Sequence, residues 1–138
     1  MSVARRFFDT NVLLYLLSAD AAKADRVEEA LVAGGTISVQ VLNEFTSVAL
    51  RKLGMKVSQV REVLEPITEI CEVMPLTTQI HQRGLQVAER YRFSFYDALI
   101  VAAALESGST TLYSEDLQDG QVIDRVLAVK NPFGKAMA

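Results

Sequence analysis

Apolar positions along the chain follow two alternating patterns. Short runs rich in β-branched and aromatic residues, at 4–8, 36–39, 71–74, 111–113 and 127–129, read as strands, each ending near a polar or turn residue. Between the first four lie longer stretches with helical spacing: 12–31, then 40–53 with 58–70, then 78–91 with 95–106. In one of these Val57, Val60, Val63, Leu64, Ile67 and Ile70 recur three or four apart, and Pro66, which has no N–H, is expected to kink or split the helix. The run from Ala98 to Leu105 is apolar all round, which predicts a buried helix. Strands alternating with helices predict an α/β fold: a parallel sheet with helices on both faces and right-handed crossovers. Such sheets carry their working site beyond the carboxyl ends of the strands, where the strand order reverses.

Composition narrows this picture. The chain has 138 residues, half of them hydrophobic, with only seven glycines and three prolines. That length predicts a single domain over 1–138, and no linker, repeat or low-complexity tract breaks it. One cysteine cannot make an internal disulfide, which suits a reducing compartment. Arg5, Arg6 and the apolar residues after them imitate an export signal, but Asp9 and Asn11 interrupt the run. No stretch is long enough to span a bilayer; the expectation is a soluble cytoplasmic protein with no membrane partner. A net charge of −3 and a pI near 5.2 exclude gripping nucleic acid by bulk positive charge.

Acidic residues stand just beyond the strand ends. Asp9-Thr10-Asn11 comes after the first strand, a helix carrying Glu44 after the second, and Ser114-Glu115-Asp116 after the fourth. Each acid has a bland reading. Asp9 can cap a helix; Ser94 and Asp97 have the spacing of a capping box before the apolar helix; Asp116 and Asp119-Gly120 can be turn chemistry. Glu44 sits at the border of the stripe made by Val41, Phe45 and Val48, with no basic partner four residues on. Together, however, Asp9, Glu44, Asp97 and Asp116 at one sheet end would repel one another, and a divalent cation removes that conflict. An all-oxygen donor set suits Mg²⁺ or Mn²⁺. Hydrolysis of a phosphodiester by metal-activated water fits such a site, and the metal would reconcile an acidic protein with a polyanionic substrate. Arg51, Lys52, Lys56 and Arg61 form the densest basic group and could line the approach.

These residues resemble a known family. Phe8-Asp9-Thr10-Asn11-Val12-Leu13, Asn43-Glu44-Phe45, Phe95-Tyr96-Asp97-Ala98-Leu99-Ile100, the segment from Tyr113 to Gly120 and the final Asn131-Pro132-Phe133 are similar, in order, to PIN-domain nucleases, most of all VapC-type toxins of toxin–antitoxin pairs. The resemblance implies a PIN-like three-layer α/β/α fold with a five-stranded parallel sheet ordered 3-2-1-4-5. That order sets Asp9 and Asp116 side by side. It also implies that Asp9, Glu44, Asp97 and Asp116 are the catalytic, metal-binding acids, supported by Thr10, Asn11 and Ser114, with Asp119 as an additional acid. The implied activity is endoribonucleolytic cleavage by a homodimer that a small antitoxin inhibits.

Other chemistries fit less well. The only histidine, His81, lies mid-helix on a face shared with Leu85 and Ala88, which reads as structural and argues against a Ser–His–Asp hydrolase. Cys71 reads as a buried thiol, and no phosphate-binding glycine pattern occurs. Phe93, Phe95 and Tyr96 read as core packing, with base stacking as the alternative. A phosphatase of the haloacid-dehalogenase kind would need an acid where Asn11 stands. An RNA-processing nuclease without an antitoxin, and a metal- and RNA-binding module that does not cut, remain open.

Overall fold

A computed structural model describes residues 5–134. Its central strands are β1 (Arg6–Phe8), β2 (Thr36–Ser38), β3 (Glu72–Met74) and β4 (Thr111–Tyr113), with β5 (Val122–Ile123) and β6 (Leu127–Lys130) closing the chain. The sheet order is β3-β2-β1-β4-β6-β5, and every pairing is parallel except β5 with β6. The five parallel strands stand in the expected order. The correction is the sixth, antiparallel strand. Its hairpin turn has Asp124 at φ 50° and Arg125 at φ 64°, closed by the Val126 N–H on the Ile123 carbonyl at 3.1 Å. Two successive left-handed residues make a type I′ turn, normally signalled by Asn-Gly or Asp-Gly, and this segment has neither. Tertiary contacts hold it instead: the Tyr91 hydroxyl donates to Asp124 Oδ1 at 2.7 Å and accepts the Asp124 N–H at 2.8 Å.

The helices are α1 (Thr10–Leu13), α2 (Ala21–Val32), α3 (Val39–Arg51), α4 (Val57–Ile70), α5 (Thr78–Tyr91) and α6 (Phe95–Glu106), with a 3-10 helix, Leu14–Leu17, after α1. The single helix expected over 12–31 is therefore broken. Ser18 Oγ accepts the Asp20 N–H at 3.0 Å and Asp20 Oδ1 accepts the Lys23 N–H at 3.3 Å, so local side-chain bonds compete with helix continuation and then cap a new start. Conversely, Pro66 does not split α4. It lies on the exposed side of α4, away from the buried Val60 and Ile67. The strand start expected at Ala4 lies outside the described residues.

The core is built where two faces of the sheet are covered. Phe7, Phe8, Ile37, Leu112 and Val129 are fully buried, as central parallel strands require. Every residue of α6 from Ala98 to Leu105 is buried, as its unbroken apolar sequence predicts. Gly84 lets α5 approach α6, since a Cβ there would stand 2.9 Å from Leu99 Cδ2. Cys71 is buried, and burial pushes its thiol up to about 11. His81 is exposed, with its ring edge against Phe95, because the buried face of α5 runs through Ile80, Gly84 and Val87. Near the C-terminus Phe133 packs edge-on against Tyr15 at 4.7 Å, with the Lys23 ammonium over both rings. Among the described residues no helix is long and apolar enough to cross a membrane.

The chain runs β1 to β2 to β3 in one direction, then returns to place β4 on the other side of β1. The carboxyl ends of β1 and β4 therefore form the switch point.

Candidate active site

Asp9 leaves the end of β1 at that switch point. Its N–H donates to the Tyr113 carbonyl at 3.0 Å, extending the β1–β4 ladder by one residue, and its side chain then turns to cap α1. Oδ1 accepts the Thr10 N–H at 2.7 Å; Oδ2 accepts from Ser114 Oγ at 2.7 Å and Asn11 Nδ2 at 3.0 Å. The capping reading of Asp9 is therefore realised, and the same carboxylate faces the switch point. It is only 4 % exposed, and burial pushes its pKa up from 3.8 to about 6. The Ser114 hydroxyl and Thr10 N–H oppose that rise, while the negative charges of Asp97 and Glu44 add to it.

Glu44 reaches the same place from α3. Ser38 caps that helix by accepting the Val41 N–H at 3.2 Å, and the buried Val41, Phe45 and Ala49 fix its rotation. Thr10 Oγ1 donates to Glu44 Oε1 and Gln40 Nε2 to Oε2, both at 3.0 Å. Glu44 therefore has partners, though not the basic one sought four residues on. Asp97 stands in the first turn of α6, where Ser94 Oγ accepts its N–H at 3.3 Å. Only that half of the capping box is formed. Among the described residues, no hydrogen bond occupies the carboxylates of Asp97 and Asp116.

The Ser114 hydroxyl is the hub of the β4 end. It donates to Asp9 and accepts the N–H groups of Asp116 at 3.2 Å and Leu117 at 3.3 Å, while Asn11 Oδ1 accepts the Glu115 N–H at 3.0 Å. Asn11 and Ser114 thus tie the loop bearing Asp116 to the turn bearing Asp9. All four acids line one open cavity of about 610 Å³, together with Thr10, Asn11, Leu14, Gln40, Asn43, Ser47, Val48 and Tyr96.

Other expected residues lie elsewhere. Asp119 does not line the cavity; its Oδ1 accepts the Asn131 N–H at 2.8 Å and clamps the loop after β4. Arg51 and Lys52 are exposed at the end of α3 and do not line the cavity either, although Arg51 lies two turns beyond Glu44 on the same helical face. Sequence reasoning missed Gln40, Asn43 and Ser47. Gln40 was legible as a residue four before Glu44. Tyr96 is a correction: it is 62 % exposed at the cavity, whereas Phe93 and Phe95 pack on the core as expected.

Among the described residues, no group of three or more His, Cys, Asp and Glu side chains is arranged to hold a metal ion unaided. The donor set nonetheless fits a hard cation that keeps part of its water shell and takes one or two carboxylates directly. Every charged group at the cavity is a carboxylate, and the buried Asp9 is already disfavoured as an anion by its neighbours.

A PIN domain family model matches residues 6–122. Similar solved structures include a toxin–antitoxin complex from Klebsiella pneumoniae, 22 % identical, covering 93 % of this chain and 98 % of that one with TM-score 0.69. A DNA-bound VapBC from Salmonella typhimurium is 20 % identical over 94 % and 98 % of the two chains, also at 0.69. VapC20 of Mycobacterium tuberculosis, described as a sarcin-ricin loop cleaving toxin, is 19 % identical over 79 % and 88 %, at 0.64. At such identities the likeness is one of fold. Among curated proteins none matches the chain.

Proposed function

The chain belongs to the PIN domain family, and from that premise we propose that it is a divalent-metal-dependent endoribonuclease, the toxin of a toxin–antitoxin pair, formed by one PIN domain over 1–138. The observation that carries the chemistry is the single cavity shared by Asp9, Glu44, Asp97 and Asp116 at the β1/β4 switch point. In this reading those four acids hold Mg²⁺ or Mn²⁺. When bound, such a cation supplies Lewis acidity toward phosphate oxygens and toward the attacking water.

The protein's own residues do the rest. The Ser114 hydroxyl and the Thr10 N–H keep Asp9 ionisable despite its burial, and with Asn11 they fix both its oxygens. Thr10 and Gln40 hold both oxygens of Glu44 in the same cavity. Asp97 and Asp116, uncommitted to other hydrogen bonds among the described residues, orient water and the cation. Arg51 and Lys52, beyond the cavity, meet flanking phosphates. RNA as substrate is supported by the fold shared with a sarcin-ricin loop cleaving toxin. An antitoxin partner is supported by the fold shared with toxin–antitoxin assemblies. A homodimer in the cytoplasm completes the proposal.

The test uses purified protein and end-labelled single-stranded RNA with Mg²⁺, with Mn²⁺ and with chelator. Internal cuts that need the metal and vanish in Asp97→Asn are expected; cleavage in chelator, or by Asp97→Asn at the wild-type rate, overturns the reading. The toxin assignment has its own readout. Expression should arrest growth, and a small neighbouring gene should relieve it; harmless expression of an RNA-cutting protein would make it an RNA-processing nuclease instead.

A further inference from the structure

The cavity lining carries two kinds of residue. One is the four acids. The other is uncharged: Asn43, Ser47 and Val48 along α3, beside Glu44, and Tyr96 on the first turn of α6, beside Asp97. Tyr96 is the residue next to Asp97, so whatever lies against its ring is one residue from the acid site. The ring leans on Phe95, with centroids 6.0 Å apart and planes at 51°, and leaves most of its surface to solvent. The ring is thus open to the acidic mouth rather than packed away in the core. It is suited to a flat, uncharged, weakly solvated group.

We propose that Tyr96 is a stacking platform for the base of a single-stranded RNA nucleotide adjoining the scissile phosphate, with Asn43 and Ser47 facing the edge of that base. The proposal rests on the nuclease reading and deepens it. A nucleotide presents both chemistries that this mixed lining suits: a phosphate that approaches the acids only through a cation, and a neutral π-face that needs none. The spacing agrees, because Asn43 and Ser47 lie four apart and share the α3 face next to Glu44. Base–aromatic stacking tolerates any base, whereas the amide of Asn43 discriminates among base edges. Tyr96 therefore supplies affinity and Asn43 preference.

The chain contains no tryptophan, so Tyr96→Trp installs a single indole reporter. Labelled eight-nucleotide single-stranded RNA, followed by anisotropy in Ca²⁺, measures binding to each variant. Inorganic polyphosphate serves as a backbone without bases. RNA should quench the indole and polyphosphate should not. Tyr96→Ala should weaken RNA binding by roughly 5- to 150-fold, the equivalent of stacking one base, and raise KM more than it lowers kcat. Tyr96→Phe should stay within about twofold of wild type, since a phenyl ring stacks equally well. Unchanged RNA affinity in Tyr96→Ala, or an unquenched indole in RNA-saturated protein, overturns the platform even if RNA is cleaved. Quenching without cleavage in any divalent metal would instead retain the platform and remove the nuclease reading. No RNA binding by the wild type would remove both.

Discussion

Asp9 is a helix cap, a ladder residue and a buried anion at once, and these roles do not sit comfortably together. Its pKa of about 6 means that burying the charged form costs about 3 kcal/mol relative to the unfolded chain. The sign comes from proton counts: between pH 4 and 6 the folded state binds more protons than the unfolded one, so stability falls as pH rises. In chelator, urea unfolding should therefore give a lower stability at pH 7 than at pH 4.5, and Mg²⁺ should restore it at pH 7 only. Glu44 adds to the strain on Asp9. Glu44→Gln should stay folded, because Gln40 can turn its amide to accept from the new one, and it should lose at least tenfold in RNA cleavage. Its melting temperature in chelator should equal or exceed that of the wild type; a clear fall would mean that the carboxylate is there for structure. The acids themselves were legible as residues placed after strands. The partners that satisfy them were legible only in part: Thr10 stands beside Asp9, but no local pattern says that its hydroxyl crosses to Glu44, 34 positions on.

Elements explain why these side chains keep their places. β1 is three residues long and is held on both sides, by Phe7 opposite Thr36 and by Phe8 opposite Tyr113. Gly35, just before β2, leaves room for the Phe8 ring: a Cβ there would meet Phe8 Cε2 at 2.3 Å, and the fully buried ring cannot retreat. Gly35→Ala should therefore cost about 1–3 kcal/mol in urea unfolding. Because Phe8 precedes Asp9, it should also weaken Mn²⁺ affinity, although the substitution lies at the opposite end of the strand. Periodicity made α5, and an unbroken apolar run made α6, readable to their end residues. The break after Leu17 rests on local bonds of Ser18 and Asp20, a capping signal that the apolar spacing over 12–31 masked. The β5 hairpin depends on Tyr91, more than thirty residues away, and short-range pattern carries no record of such a partner.

At the scale of the molecule, the order of the five parallel strands does most of the functional work. It brings the ends of β1 and β4 together, lets α3 and α6 converge over them, and so collects four acids scattered along the sequence around one opening. For the proposed polyanionic substrate, an acidic protein with net charge −3 needs a cation at that opening, which makes metal affinity the quantity on which the proposal turns. Calorimetric titration of Mn²⁺ at pH 7 into wild type, Asp97→Asn and Asp9→Asn measures it directly. One saturable site with a raised melting temperature in the wild type, lost or weakened at least tenfold in both variants, is predicted. Wild-type protein that takes up no Mn²⁺, or variants that bind it as tightly, would contradict the account.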